Sequence, residues 1–168
     1  IQPIANALTI DVEDWFHGFR LSAAQQAKLS SRLNVGLLRI LDLLDAQRVK
    51  ATFLILGSLV AEWRPLLGLI VEAGHEVGVH GFSHTPLYQL SPTTFACELD
   101  QALAQLRTLT QQPIQSYRAP YFSLTSRSLW ALPILAQFGL RYDSSIVPTH
   151  NPRYGIPHAH RFPYRLMI

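Results

Sequence analysis

Ala51-Thr-Phe-Leu-Ile-Leu56, closed by Gly57, is the stretch on which the fold turns. A continuous apolar run ended by glycine is the pattern of a strand buried on both faces, and such strands belong to parallel sheets. Reading downstream, Arg64-Pro65 through Ala73 forms a helix that Gly74 stops, and Glu76-Val-Gly-Val79 is the next strand. Upstream, Ala7-Leu-Thr-Ile-Asp-Val12 is a short apolar run ending in carboxylates and reads as the first strand. Asn34 offers an N-cap to a helix carrying Leu37, Leu38, Leu41 and Leu44. Ser91-Pro92 opens the clearest helix, with Phe95, Leu99, Leu103, Leu106 and Leu109 on one face. Gln115–Arg118 is a short strand, and Thr125 or Ser126 caps a helix reaching Phe138, with Pro133 as a kink and Gly139 after it. Leu140–Asp143 is strand-like, and from Pro148 the chain is an extended loop.

Strand–helix alternation with apolar strands predicts an α/β fold, a parallel sheet covered by helices. The chemistry-bearing residues fall at strand ends: Asp11 to Asp14, His80, Arg118 and Asp143. A parallel barrel gathers such groups at the C-terminal rim of its strands. An open doubly wound sheet gathers them at its switch point, but no Gly-rich phosphate loop follows the first strand, so the barrel is preferred.

The 168 residues, 48% of them hydrophobic, suffice for one domain with a core. No run of eighteen apolar residues predicts a transmembrane helix. Ile1-Gln-Pro-Ile-Ala-Asn6 lacks the basic region and apolar stretch of a secretory signal, although a removed leader leaves the same text. Cys97 is the sole cysteine, so no internal disulfide forms, and its place on an amphipathic helix predicts a buried thiol. A net charge of +3, from basic residues without aromatic interleaving, gives no support for nucleic-acid binding.

His80-Gly-Phe-Ser-His84 carries the strongest chemical signal. Four-residue spacing puts two imidazoles on one side of a helical turn, where they can share a metal ion. Such a pair wants a third ligand, commonly a carboxylate, and Asp11-Val-Glu-Asp14 offers candidates. Each residue also has an ordinary structural role open to it. Asp11 can cap the following segment, Arg118 can be a surface ion-pair partner, and Trp15 and His17 can pack or can line a sugar groove.

Taken in order, Thr9-Ile-Asp-Val-Glu-Asp14, His80-Gly-Phe-Ser-His84 and Arg118-Ala-Pro-Tyr121 resemble the NodB-homology polysaccharide deacetylases, carbohydrate esterase family four. Asp11-Val-Glu-Asp-Trp-Phe-His17, Tyr142-Asp-Ser-Ser145 and Arg153-Tyr-Gly-Ile-Pro157 look closest to the bacterial branch associated with exopolysaccharide gene clusters. The resemblance runs from about Leu8 to Arg165. It implies an incomplete or deformed (β/α) barrel and removal of N-acetyl groups from amino sugars of a bacterial polysaccharide. It also implies a divalent metal, zinc first and cobalt or nickel as alternatives.

Carried over residue by residue, the resemblance makes Asp11 the catalytic base and His80 and His84 metal ligands. Arg118 holds the base, and the Tyr121 backbone N–H binds the oxyanion. The metal carboxylate stays open between Glu13, which shares Asp11's face if the strand continues, and Asp14, which swings in if the chain turns at once. Gly81 stands where the family usually has Ser or Thr, with the expected loss of a local hydrogen bond. Asp143 is expected to pair with Arg118, and Trp15 with Tyr121 to contact the sugar. The family's closing Leu-x-His motif is not found before Ile168, and His150, His158 and His160 do not match it. The expectation is a single domain, 1–168, lacking its last strands, with the metal site assembled and catalysis impaired. Two other readings keep the motifs: a C–N hydrolase of a small ring substrate such as allantoin, whose enzymes resemble metal-free relatives, and a catalytically silent carbohydrate-binding domain.

Overall fold

The computed structural model describes residues 6–19 and 21–167. Most of the N-terminal stretch read for a leader lies outside them. Five parallel strands, β1 (Thr9–Val12), β2 (Thr52–Ile55), β3 (Glu76–Val79), β4 (Ser116–Tyr117) and β5 (Tyr142–Asp143), form one sheet in the order β1-β2-β3-β4-β5. Between them run α1 (Ala23–Gln26), α2 (Leu33–Ala46), α3 (Val60–Glu72), α4 (Pro92–Leu106) and α5 (Ala131–Gln137). The strand order never reverses, so there is no switch point and the winding is that of a barrel rather than of a doubly wound sheet.

Alternation along the strands separates two faces. Val12, Phe53, Ile55, Val77, Val79 and Tyr117 join Leu37, Leu67, Ile70, Leu99 and Leu103 of the helices in one buried cluster. The opposite face carries Thr9, Asp11, Thr52, Glu76 and Ser116, with Thr52 and Ser116 hydroxyls both donating to the Glu76 carboxylate, at 2.5 and 2.7 Å. Gly78 lies among them, and a Cβ there would stand 2.7 Å from Leu54 and 2.9 Å from the Ser116 carbonyl. This polar face is concave. In a flat sheet β1 and β4 would be three spacings apart, about 14 Å, yet the Arg118 guanidinium just after β4 bonds Thr9 and Asp11 on β1 at 2.6 and 2.7 Å. Only a curled sheet allows this. β1 and β5 remain its outer strands, so the barrel is open.

Several expectations need correction. Asn34 lies inside α2, whose N-cap is Arg32, and its side chain accepts from Val35 N–H instead. α3 begins at Val60, and the chain leaves helical geometry at Trp63, two residues before Pro65, whose missing N–H and ring disrupt that turn. Residues 125–130 are turns, with Ser128 bonding back to Thr125 N–H, so the last helix starts only at Ala131. Pro133 therefore falls in the first turn of α5, where no helical N–H is needed, and makes no kink. Cys97 is exposed, because on α4 it faces away from the buried stripe of Phe95, Leu99, Ala102, Leu103 and Leu106. Among the described residues no helix is long and apolar enough to cross a membrane.

Candidate metal centre

The C-terminal ends of β1, β3 and β4 deliver the site. Glu13 follows β1, His80 follows β3, and Arg118 to Tyr121 follow β4. The His80–His84 segment is not a helical turn. Gly81 takes φ +83°, His84 takes φ +59°, and the segment is a bend. Glycine at 81 suits that left-handed conformation, and its carbonyl accepts from Gly57 N–H at 3.0 Å. The fold back, rather than a helical period, brings the two rings within 5.3 Å of each other.

Both imidazoles are fixed in one tautomer by backbone carbonyls. His80 Nδ1 lies 3.0 Å from the Arg118 carbonyl, and His84 Nδ1 lies 3.1 Å from that of His17. A carbonyl only accepts, so each Nδ1 carries the proton and each Nε2 turns a lone pair into the site. Glu13 completes the group. One donor atom from each of Glu13, His80 and His84 lies within 4.8 Å of the other two. The Glu13 Oε2 to His84 Nε2 separation is 2.9 Å, yet Oε2 is buried and accepts no hydrogen bond, because the facing nitrogen has no proton to offer. Three unprotonated donors aimed at one point, one an orphaned carboxylate oxygen, are the chemistry a divalent cation satisfies.

The electrostatics follow. Burial lowers the affinity of His80 for a proton, with His84 adding to the effect against the pull of Asp11. His17 is likewise pushed down by burial and by His84.

Asp11 lies beside this group, its Oδ2 4.0 Å from His80 Nε2. Arg118 holds it with Nη1 at 2.7 Å while Nη2 donates to Thr9 Oγ1 and Nε to the Ser144 carbonyl at 3.3 Å. Asp143 does not reach Arg118. Its carboxylate accepts from the Ser145 hydroxyl at 2.6 Å and from Ser145 N–H, a local turn that wins over the longer pairing. Burial leaves that carboxyl above the usual range.

Asp14 does not enter the cluster. Its Oδ1 accepts from Trp15 N–H and Arg32 N–H at 3.1 and 3.0 Å, so the chain turns after Glu13 and spends Asp14 as a cap. Trp15 is exposed, donates Nε1–H to the Ser30 carbonyl, and lines a groove of about 870 Å³ with Asp11 and Glu13. Tyr121 takes φ +56°, its ring centroid is 4.5 Å from that of His84, and its hydroxyl donates to the His17 carbonyl at 2.7 Å. With His17 and His84 it lines a second groove of about 620 Å³. Thr9 and the carbonyls of His17 and Ser144 are parts of the site that residue-type reasoning missed. Two of the three are backbone groups, which carry no side-chain signal.

A curled parallel sheet thus sets two histidines and a carboxylate at its rim, beside an Arg-held aspartate, in an arrangement that could hold a metal ion. The family model for polysaccharide deacetylases matches residues 35–142, so the chain belongs to the polysaccharide deacetylase family, of the NodB-homology or CE4 type. A chitooligosaccharide deacetylase from Bradyrhizobium is 33% identical over 98 residues, 58% of this chain and 42% of that protein. A peptidoglycan deacetylase from Helicobacter pylori is 28% identical over 117 residues, 70% of this chain and 38% of that protein. The chain thus spans about two-fifths of the length of these relatives. Among solved structures, a CE4 family pseudoenzyme from Bacillus anthracis superposes with a TM-score of 0.64 at 26% identity, over 82% of this chain and 41% of that one.

Proposed function

We propose that this protein is a metal-dependent N-deacetylase acting on N-acetylated amino sugars of a bacterial exopolysaccharide. The observation that carries the reading is the convergence of two Nε2 lone pairs and an orphaned Glu13 oxygen, next to an aspartate fixed by Arg118. Glu13, His80 and His84 are the ligands. A divalent cation, zinc or else cobalt or nickel, supplies a lowered water pKa and polarises the acetyl carbonyl.

The remaining work belongs to the chain. Asp11 takes the proton of the attacking water, and the two-point grip of Arg118 keeps its carboxylate on that line. The water oxygen bonds to the acyl carbon, the C–N bond breaks, and the proton goes to the leaving nitrogen, giving acetate and a free amine. Pro120 has no N–H and a fixed φ, and the Tyr121 amide that follows it receives the oxyanion. The exposed face of Trp15, in the groove that holds Asp11 and Glu13, is a platform for a pyranose ring.

The test pairs metal content with acetate release from an N-acetylated oligosaccharide. His84→Ala should lose bound zinc and turnover together. Asp11→Asn should keep the metal while turnover falls at least a hundredfold. Wild-type turnover in Asp11→Asn, or full activity in chelator, defeats the assignment.

A further inference from the structure

The net charge is not spread evenly along the chain. Residues 1–140 contain ten basic and ten acidic side chains, whereas Arg141, Arg153, Arg161 and Arg165 face only Asp143 in the remainder. The whole excess of +3 therefore sits in the C-terminal segment, and part of that segment returns to the site. Val147 and Ile156 close a loop, with Thr149 N–H and Ile156 N–H both donating to the Val147 carbonyl at 2.8 and 2.9 Å. Gly155, at φ +96°, lets the two arms of this loop touch. A Cβ there would lie 2.4 Å from the Thr149 carbonyl oxygen. Asn151 Oδ1 accepts from Arg153 N–H at 2.9 Å, and Ile156 packs against the hydrophobic core. These bonds place Arg153 on the wall of the groove that also holds His84, His17 and Tyr121.

That groove has a one-signed lining. Arg153 is its cation, no aspartate or glutamate lines it among the described residues, and no ion pair or side-chain hydrogen bond engages the Arg153 guanidinium. Tyr88, 43% exposed, and Phe19, 58% exposed, line the same groove as aromatic surface of the kind that packs on sugar rings. A planar guanidinium with open donors selects a carboxylate, which it can grip through two parallel bonds.

Building on the deacetylase reading, we infer that Arg153 forms a subsite for a carboxylate-bearing sugar next to the N-acetylated one. The substrate class is then an acidic polysaccharide that alternates amino sugars with uronic acid or a similarly carboxylated unit, rather than a neutral homopolymer. The positive excess of the C-terminal segment favours polyanions in the same sense.

The test uses an oligosaccharide of alternating N-acetylglucosamine and glucuronate, and its uncharged methyl ester, with binding to the zinc-loaded protein measured by calorimetry. Wild type should bind the acid about tenfold more tightly than the ester. Arg153→Gln should bring that ratio near one while leaving ester affinity unchanged, and Arg153→Lys should restore part of it. A ratio that survives in Arg153→Gln, or a wild type that binds neither compound or both alike, overturns the inference. Acetate release is scored separately. Tenfold discrimination without turnover of either oligomer rejects the deacetylase reading and leaves the Arg153 assignment standing.

Discussion

Glu13→Gln should change stability in opposite directions with and without metal. In chelator at pH 8, the wild-type carboxylate faces the His84 lone pair at 2.9 Å, with Oε2 buried and unbonded. A buried acceptor left without a donor costs about 1–3 kcal/mol. Glutamine has nearly the same shape, and its amide N–H can donate to His84 Nε2. A gain of about 1 kcal/mol in the metal-free protein follows, which for a chain of this size is about 2–4 °C in Tm. Zinc at a hundredfold above its dissociation constant should stabilise wild type by about 2.7 kcal/mol, or about 5–10 °C. The variant, lacking the anionic ligand, should show little of that rise. Thermal unfolding in chelator and in zinc, with circular dichroism as readout, gives all four values. A variant less stable than wild type in chelator, yet raised equally by zinc, would refute the reasoning, because Glu13 would then be satisfied and uninvolved.

Two further outcomes test the fold around the site. Gly78→Ala should destabilise by about 1–3 kcal/mol, since its Cβ would meet the buried Leu54 side chain and the backbone carbonyl of Ser116, which cannot swing away; denaturant unfolding measures this. His75 is buried, accepts from Ala51 N–H through Nδ1 and packs on Phe53, and burial with Lys50 nearby lowers its proton affinity. A histidine whose folded pKa lies below its unfolded value of about 6.5 contributes stability fully above that pH and loses it as pH falls through the window beneath. His75→Asn should therefore show a shallower loss of stability between pH 7.5 and 5.5 than wild type, the residual slope coming from His17 and His80. Identical slopes would exclude His75 as a contributor.

The sequence displayed elements wherever one residue type has one physical use. Gly74 and Gly139 were legible as helix stops because both take positive φ in the same motif, each followed by a residue whose N–H bonds three positions inside the helix, His75 to Ile70 and Leu140 to Leu135. α2 ends in the same way with Arg48 at φ +53°, and an arginine announces nothing of the kind. Ser91-Pro92 similarly marked α4, with the Ser91 hydroxyl accepting from Thr94 N–H. Thr125 and Ser126 carried comparable capping chemistry but lead into turns, because Ser128 competes for the backbone locally. The identities of His80, His84, Asp11 and Arg118 were readable as a set. Their gathering at the strand ends was readable too, but the bend at Gly81 that brings the two rings together was not, since no side-chain period encodes it.

Asp14 shows how a residue can serve the site without touching it. Its Oδ1 ties the chain to Arg32 at the start of α2, and its own N–H donates to His17 Nδ1 at 2.8 Å. That turn sets the His17 carbonyl, which accepts from both His84 Nδ1 and the Tyr121 hydroxyl. His84, Tyr121 and Phe122 all hold positive φ, a conformation costing on the order of 1–3 kcal/mol for each such residue. The strain persists because external bonds fix these segments. Ser83 is held by Glu98 Oε1 at 2.7 Å, and Ser123 Oγ accepts from Leu87 N–H at 2.9 Å. The Asp14 carboxylate thus helps to hold the turn that presents the His17 carbonyl to His84 and Tyr121, through backbone bonds rather than through a place in the Glu13–His80–His84 cluster.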